Sequence, residues 1–326
     1  MKRFVRIVFL YFSFLFVVLI CINLLYVSRN YPDRYGVAQY DNIPSEIEVC
    51  NLGSSHGVHS YYYEEFEDEY TCFNFALDSQ GLSYDERILE EYKDSLKEGC
   101  VVIIDISYFQ FWGSTDVNSD DFLSYNKRYY RILSPERIIA YDWFTDMIVK
   151  RFRCLDTAPG EVIKTILFGC KEKEEVKSYP EVSSVVDTYK LEEDTYLSSR
   201  RHIFDNKRDE QGTLIINDAE MDALDEIVKV CHENGFKPVF VTVPYLKEYK
   251  NAIREVDSAF LDSFDKMIRK KSKELHVEYW DYSDDIRFCD DYSLFYNGDH
   301  MNTTGAEKFT AIVFDEVIED MIEKSR

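Results

Sequence analysis

The chain opens with a long apolar run. Ile7–Val27 holds 21 positions without a charged side chain, and at a rise of about 1.5 Å per residue this helix would measure about 31 Å, one bilayer core. Lys2, Arg3 and Arg6 precede it, and positive residues stay on the cytoplasmic side of a membrane. The run is longer than that of a cleaved signal peptide, so we predict a retained signal anchor. The predicted segments are a cytoplasmic stub and anchor at 1–28, a linker at 29–45 and an extracytoplasmic domain at 46–326.

Beyond residue 45, short apolar runs alternate with longer amphipathic segments. The short runs are bounded by polar residues or glycine, as expected of strands buried on both faces. The longer segments repeat apolar residues every three or four positions, which is typical of helices. The alternation predicts an α/β fold with a doubly wound, mostly parallel five-stranded sheet. The predicted strands are Ile47–Leu52, Thr71–Ala76, Cys100–Ile106, Pro238–Val243 and His276–Asp281, and the predicted helices are Ser83–Leu96, Asp218–Asn234, Val256–Leu275 and Gly305–Lys324.

One long segment departs from this alternation. Residues from about 114 to 212 hold helical stretches and a charged tract but no clear strand. We interpret them as a helical insertion over the edge of the sheet. It supplies either a substrate surface or a partner surface, and the sequence does not choose between the two.

Charge and cysteine content narrow the function classes. The chain carries a net charge of −23, and the part beyond the anchor carries −26. Such an acidic surface repels phosphate backbones, so no nucleic-acid partner is expected. The eight cysteines include no C-x-x-C pair, so a zinc ribbon or a redox motif has no support. Cys154 and Cys170 flank a loop and can pair in an oxidising compartment.

The residues that follow the strands are the place to look for chemistry, because ligands of open α/β sheets bind outside the carboxyl ends of the strands. Gly53-Ser54-Ser55 follows the first strand, and Asn297-Gly298-Asp299-His300 lies just before the last helix. Serine is a weak nucleophile that needs a base within hydrogen-bond reach. An imidazole can take and return its proton near neutral pH.

Together the two ends resemble the SGNH (GDSL-type) hydrolase and acyltransferase superfamily, and most of all its membrane-anchored DltD-like and polysaccharide O-acetylation subgroup. The resemblance implies a flavodoxin-like sheet, with Ser55 as nucleophile and His300 as general base. Backbone N–H groups of Ser55 and Ser79 would form the oxyanion hole. The family places an aspartate three residues before the histidine, where this chain has Asn297, so either Asn297 or Asp299 orients the imidazole. The residues expected to border the substrate are Gln80, Gly81, Asp105, Ser107 and Asn302.

The implied activity is acyl transfer through an acyl-serine. The expected enzyme is an esterase or O-acyltransferase that modifies a cell-envelope polysaccharide or teichoic-type polymer, with a multipass membrane acyltransferase as partner and acyl source. The alternative is a catalytically silent relative that binds glycan or acts as a scaffold, and Asn297 favours it. No cofactor and no metal are expected. His56 and His59 are interpreted as surface or supporting polar residues, and the position of His202 in the fold stays open.

Overall fold

The structure is a computed structural model that describes residues 1–29, 36–169, 188–204 and 208–323. The chain divides into two compact units. One unit joins residues 1–41 to 117–176, and the other joins 42–116 to 177–326. The second unit contains the sheet and every candidate site residue.

A single five-stranded sheet forms the centre of the second unit. All neighbouring strands are parallel, in the order β2-β1-β3-β4-β5. This order belongs to doubly wound α/β folds of the flavodoxin type, so the predicted fold class is confirmed. The strands are β1 (Ile47–Leu52), β2 (Cys72–Asn74), β3 (Leu96–Asp105), β4 (Lys237–Thr242) and β5 (Glu278–Asp281).

The three central strands are covered on both faces. Consecutive residues point to opposite faces of a sheet, and Val101 to Ile104 of β3 are all fully buried. Val239 to Val241 of β4 are buried in the same way. An unbroken run of β-branched and aromatic residues is what a strand between two helical layers requires.

Helices join the strands and flank them. α3 packs against α9, α8 against α10, and α12 against α2. The helices of this unit are α2 (Ser55–Ser60), α3 (Leu82–Tyr92), α8 (Thr188–Ile203), α9 (Asp218–Glu233), α10 (Lys247–Val256), α11 (Phe260–Leu275), α12 (Thr303–Val313) and α13 (Glu319–Glu323), with a π-helical turn at Phe314–Ile318 between the last two.

Several predicted boundaries were wrong, and for two of them the structure gives the physical reason. The helix predicted to reach Leu96 ends at Tyr92, and a 3₁₀ turn leads into β3, where Leu96 already pairs with Ile47. The second strand was predicted to reach Ala76. It stops at Asn74, whose side-chain oxygen accepts the Ala76 N–H in place of a strand neighbour.

The first unit packs short helices against the N-terminal helix α1 (Lys2–Val27), which is long and apolar enough to span a membrane. Tyr26, Cys154 and Val162 form its small buried core. The other helices are α4 (Asp120–Asn126), α5 (Tyr129–Ile132), α6 (Trp143–Arg151) and α7 (Pro159–Phe168). The predicted insertion is thus mainly helical where it is described, and its described part from residue 117 to 169 groups with α1. Cys170, the predicted partner of Cys154, lies outside the described residues.

Candidate active site

Ser55 lies on a sharp turn after β1. Gly53 leaves the strand with φ of 142°, a conformation that favours glycine. A Cβ at Gly53 would lie 2.7 Å from the Cβ of Asp105, at the end of β3. Ser54 caps α2, and Ser55 is the first residue of that helix. The turn therefore presents the Ser55 hydroxyl at the carboxyl end of the sheet.

A small amide network holds α2 on the strand ends. The side-chain NH₂ groups of Asn51 and Asn74 both donate to the carbonyl of Gly57, at 3.3 and 3.0 Å. Asn51 also donates to Asn74 at 2.9 Å. A Cβ at Gly57 would come within 2.9 Å of the Ala76 side chain. The position of Ser55 is thus set by β1 and β2 together.

The loop before α12 brings His300 to this serine. His300 Nε2 lies 2.8 Å from Ser55 Oγ, although 245 positions separate the two residues. Asn297 Oδ1 shapes the loop, because it accepts the backbone N–H groups of Asp299 and His300 at 3.1 and 2.9 Å. The predicted meeting of the serine and the histidine is present in the structure.

The same amide fixes which nitrogen of His300 can act as a base. A backbone N–H only donates, so the atom of Asn297 that accepts two of them must be the oxygen. That oxygen lies 3.0 Å from His300 Nδ1, so Nδ1 carries a proton and donates it. The lone pair of the neutral ring is then on Nε2, facing the Ser55 hydroxyl, as a general base requires.

Asp299 places a buried carboxylate among three imidazoles. The residue is 3% exposed. Its Oδ2 lies 3.3 Å from His56 Nε2 and 3.2 Å from His202 Nδ1, and its Oδ1 lies 3.5 Å from His300 Nδ1. A buried carboxylate needs such donors, because an unpaired charge away from water is costly.

His56 connects Asp299 to the end of β3. Its Nδ1 lies 2.9 Å from the Tyr245 hydroxyl and 3.0 Å from Ser107 Oγ, and the Ser107 hydroxyl donates to Asp105 Oδ2 at 2.9 Å. Burial raises the pKa of Tyr245 well above its usual value, so this phenol stays protonated. An ionised carboxylate only accepts hydrogen bonds, so His56 Nε2 carries a proton that points at Asp299.

The last helix of the predicted insertion closes against the His300 loop. A Cβ at Gly298 would collide with the backbone of Thr195 on α8, so this glycine permits the close approach. About two turns further along α8, His202 reaches Asp299, and its Nδ1 also lies 3.3 Å from the Tyr249 hydroxyl. The insertion therefore contributes a side chain to the candidate site.

The charges of the site are set by burial and by these contacts. Burial lowers the pKa of His300 to about 4, against the carboxylate of Asp299, which acts to raise it. Burial acts to raise the pKa of Asp299, but His300, His202 and His56 hold it well below its usual range. His59 is also buried next to His300, and its pKa falls to about 4. At neutral pH the site holds an ionised Asp299 and a neutral His300.

Three of these residues also have the spacing of metal ligands. One ligand atom each of His56, Asp299 and His300 lie within 4.8 Å of one another. A cation there would have to take the Nδ1 or Nε2 lone pair of His300. Nδ1 is protonated by its bond to Asn297, and Nε2 faces Ser55. The donor set therefore suits proton transfer better than metal binding.

The predicted oxyanion donors lie on neighbouring turns. Ser79 is exposed on the turn after β2 and has φ of 57°. This turn is tied to the end of β1, because the Leu77 N–H donates to the Gly53 carbonyl at 3.2 Å. The N–H groups of Ser55 and Ser79 stay a predicted oxyanion hole.

Four of the residues predicted to border the substrate are buried and make hydrogen bonds within the protein, and contact with the substrate stays a prediction for them and for Gly81. Gln80 donates to the Gly53 carbonyl and to Asp85, whose pKa burial raises to about 8. Asn302 caps α12 by accepting the Gly305 N–H. Asp105 and Ser107 support His56, as described above. Gly81 is the N-cap of α3.

Sequence reasoning missed two supporting residues and left a third between two roles. Tyr245 follows β4, so its place at a strand end was a usable signal. His56 was interpreted as a surface or supporting polar residue, and at 1% exposed it is buried and supporting. The sequence gives no indication of where His202 lies. This residue belongs to the insertion, and hydrophobic periodicity does not predict how the insertion packs.

Comparison with known proteins gives similarity at the level of solved structures. No protein family matches the sequence, and no curated protein does. An acylhydrolase candidate from Bacteroides fragilis is 10% identical, with a TM-score of 0.41 over 89% of this chain and 97% of that chain. A GDSL-like lipase from Bacteroides thetaiotaomicron is 11% identical, with a TM-score of 0.39 over 90% and 98%. A protein assigned as a platelet activating factor from Streptococcus pneumoniae is 10% identical, with a TM-score of 0.38 over 94% and 97%.

Proposed function

We propose that the protein is a serine-dependent acyl-transfer enzyme, an esterase or O-acyltransferase. One observation carries the proposal: Ser55 Oγ lies 2.8 Å from His300 Nε2, while Asn297 holds the proton on the opposite nitrogen. This is the nucleophile and base pair of acyl-serine chemistry.

In the proposed reaction, Ser55 Oγ attacks the carbonyl carbon of an ester and His300 Nε2 takes the hydroxyl proton. The tetrahedral oxyanion is stabilised by the N–H groups of Ser55 and Ser79, each worth about 3 kcal/mol in comparable sites. The intermediate collapses, the C–O bond to the leaving group breaks, and His300 gives that group its proton. Water or an acceptor hydroxyl, deprotonated by His300, then attacks the acyl-serine. The bond from the acyl carbon to Ser55 Oγ breaks, and His300 returns the proton to Ser55.

Asp299 compensates for the missing aspartate at position 297. When His300 takes the proton, its ring becomes positive in a buried site, which is unfavourable without a counter-charge. The Asp299 carboxylate lies 3.5 Å from Nδ1 and can stabilise that charge. The catalytically silent alternative depended on the neutral side chain of Asn297, and the nearby carboxylate weakens it.

The proposed setting is the outer face of a membrane, with α1 as a retained anchor. Two features support it: the length and apolar character of α1, and its specific contacts with the folded chain, which leave Tyr26 2% exposed. A cleaved leader has no need of such contacts. The proposed substrate is a cell-envelope polysaccharide or teichoic-type polymer. A multipass membrane acyltransferase is the proposed acyl source, as the resemblance implies.

A fluorophosphonate probe tests the chemistry. It reacts only with an activated serine, so the full-length protein should label at Ser55, and Ser55→Ala should not label. Ser54→Ala is the matched control, because Ser54 is the adjacent hydroxyl and has only a weak bond to the His56 N–H at 3.4 Å. It should still label. If the protein is folded, as judged by a normal thermal unfolding transition, and is still not labelled, the catalytically silent alternative is favoured.

A second measurement separates hydrolase from transferase. The protein is incubated with an aryl acetate, and the Ser55 peptide is analysed by mass for the acyl adduct. An acyltransferase should accumulate this adduct in water and discharge it when soluble glycan is added. An esterase should discharge it at the same rate without glycan.

A further inference from the structure

Large apolar side chains outside α1 are exposed on two short helices of the first unit. On α6, Trp143 is 67% exposed, and Phe144 lies beside it. On α7, Ile163, Leu167 and Phe168 are exposed, the last at 81%. Soluble proteins rarely leave so many large apolar groups in water, and such a concentration marks an interaction surface.

Direct contacts with α1 fix where these helices lie along the anchor. The Tyr26 hydroxyl is 2.9 Å from the Thr157 hydroxyl, near the end of α1. One turn earlier, Asn23 donates to the Arg151 carbonyl at 2.8 Å and accepts the Cys154 N–H at 3.2 Å. The segment between α6 and α7 therefore runs along the last turns of α1.

The aromatic ring of Phe152 contacts α1 further from its C-terminal end than the segment between α6 and α7 does. Its centroid is 5.9 Å from that of Phe16, eleven residues before Val27. On a helix this separation is about 16 Å, and half of a bilayer core is about 15 Å. If α1 spans the membrane, the Phe152 ring lies close to the middle of the hydrocarbon layer.

The helix α7 has two apolar faces. Val162 and Ile166, one turn apart, pack with Leu19 of α1 around the small core of this unit. Ile163 and Leu167 lie one position further round the helix and are exposed. Within the described part of the chain this second face is therefore mostly uncovered, with Ile163 59% and Leu167 64% exposed.

Charge also separates this region from the rest of the chain. Residues 117–169 contain eight basic and seven acidic side chains, whereas the whole chain carries −23. Lys150 and Arg151 end α6, and long basic side chains can keep their charge in the headgroups while their stems stay in apolar surroundings. Tryptophan is enriched at the boundary between the headgroups and the hydrocarbon layer.

We propose that α6 and α7 are embedded in the outer leaflet beside α1, with the exposed apolar side chains in contact with lipid acyl chains. The contacts along α1 place both helices at membrane depth, and a lipid surface accepts the apolar faces without a matching protein partner. This inference rests on the retained anchor of the proposed function.

Fluorescence quenching by brominated lipid tests the depth of α6. The full-length protein is reconstituted into phosphatidylcholine vesicles, with or without bromine on the acyl chains near the headgroup. The chain has three tryptophans, at 112, 143 and 280. Brominated vesicles should remove most of the Trp143 emission, and Trp143→Phe should leave a residual emission that bromine does not change.

A second reporter tests α7. Leu167→Trp in the Trp143→Phe background should restore quenching. Vesicles contain no partner protein, so an unquenched signal at either reporter overturns the lipid contact and leaves a protein partner as the occupant. The mass of the purified protein shows whether α1 is retained. It therefore distinguishes a failure of the proposed anchor from a failure of the proposed embedding of α6 and α7. A missing α1 overturns the anchor, whereas an intact, vesicle-bound and unquenched protein overturns only the embedding.

Discussion

Two groups of side chains meet at the carboxyl end of the sheet, and they differ in access and charge. The front group is Ser55, His300 and Asn297, whose serine and histidine are partly exposed. The rear group is His56, Asp299 and His202, in which His56 and Asp299 are 1% and 3% exposed. The front group contains the proposed nucleophile and no acidic side chain, and the rear group contains an acidic side chain and no proposed nucleophile.

In the proposed enzyme, the two functions of one catalytic acid are divided between the front group and the rear group. In a Ser-His-Asp triad, one carboxylate both fixes the imidazole tautomer and stabilises its positive charge. Here Asn297 fixes the tautomer from 3.0 Å, and Asp299 supplies the charge from 3.5 Å. His56 and His202 keep that carboxylate ionised although it is buried.

The largest effect should come from Asp299→Asn. The amide keeps the size of the side chain but removes the counter-charge for protonated His300. We expect kcat/KM toward an aryl ester to fall by about 10²- to 10⁴-fold, the range over which general acid–base catalysis and its orienting acid operate. Initial rates on purified protein measure it.

Thermal unfolding is the control for this variant, because His56 and His202 would lose their charged acceptor. A folded variant with a rate within threefold of the wild type would show that Asn297 alone supports His300. The division between front and rear groups would then be wrong.

Asn297→Asp should give one residue of the front group both functions: it should fix the tautomer of His300 and also supply the counter-charge. A carboxylate at 297 still accepts the two backbone N–H groups and the Nδ1 proton, and its negative charge favours the protonated ring. The pKa of His300, about 4 in the wild type, should rise. Because the base must be neutral, the acid limb of kcat/KM should move to higher pH.

A pH profile from about pH 4 to pH 8 measures this shift. Asn297→Ala is the matched control, since it removes the acceptor and adds no charge. It should lower the rate without moving the limb upward. Superimposed limbs for the wild type and Asn297→Asp would mean that the charge at 297 does not reach His300.

The proposed nucleophile and base of the front group could be predicted from the sequence. Of the rear group, the sequence left the role of Asp299 open and did not place His202. Ser55 and His300 lie next to elements with clear hydrophobic periodicity, so their places at strand and helix ends follow from the sheet topology. β1 was predicted with the bounds that the structure has. His202 lies on α8, and its contact with Asp299 depends on how α8 packs at Gly298. That packing is a tertiary property that no local pattern encodes.

The choice between Asn297 and Asp299 shows the same limit. Spacing alone left both residues as candidates for orienting His300. The structure separates them because two backbone N–H groups identify the Asn297 oxygen. Sequence patterns name residues at a site, whereas donor and acceptor geometry divides the roles among them.

A smaller effect should follow from His202→Leu. It removes one of the donors to Asp299, and a hydrogen bond to a charged group contributes about 1.5–3 kcal/mol. Only part of this free energy contributes to stabilising the transition state, so we expect about a 3- to 10-fold loss of kcat/KM. His202→Asn should restore the rate, because its NH₂ can take the place of Nδ1. Equal losses in both variants would indicate a packing role instead.

The smallest effect should be that of a chelator, and it bears on the separation of the two groups. A cation held by His56, Asp299 and His300 would join front and rear into one metal centre. We expect no change in fluorophosphonate labelling or ester hydrolysis after treatment with a strong chelator. The reason is that Nδ1 of His300 is protonated by its bond to Asn297 and Nε2 faces Ser55. Loss of labelling on chelation, restored by zinc, would replace the proton-transfer scheme with a metal-dependent one.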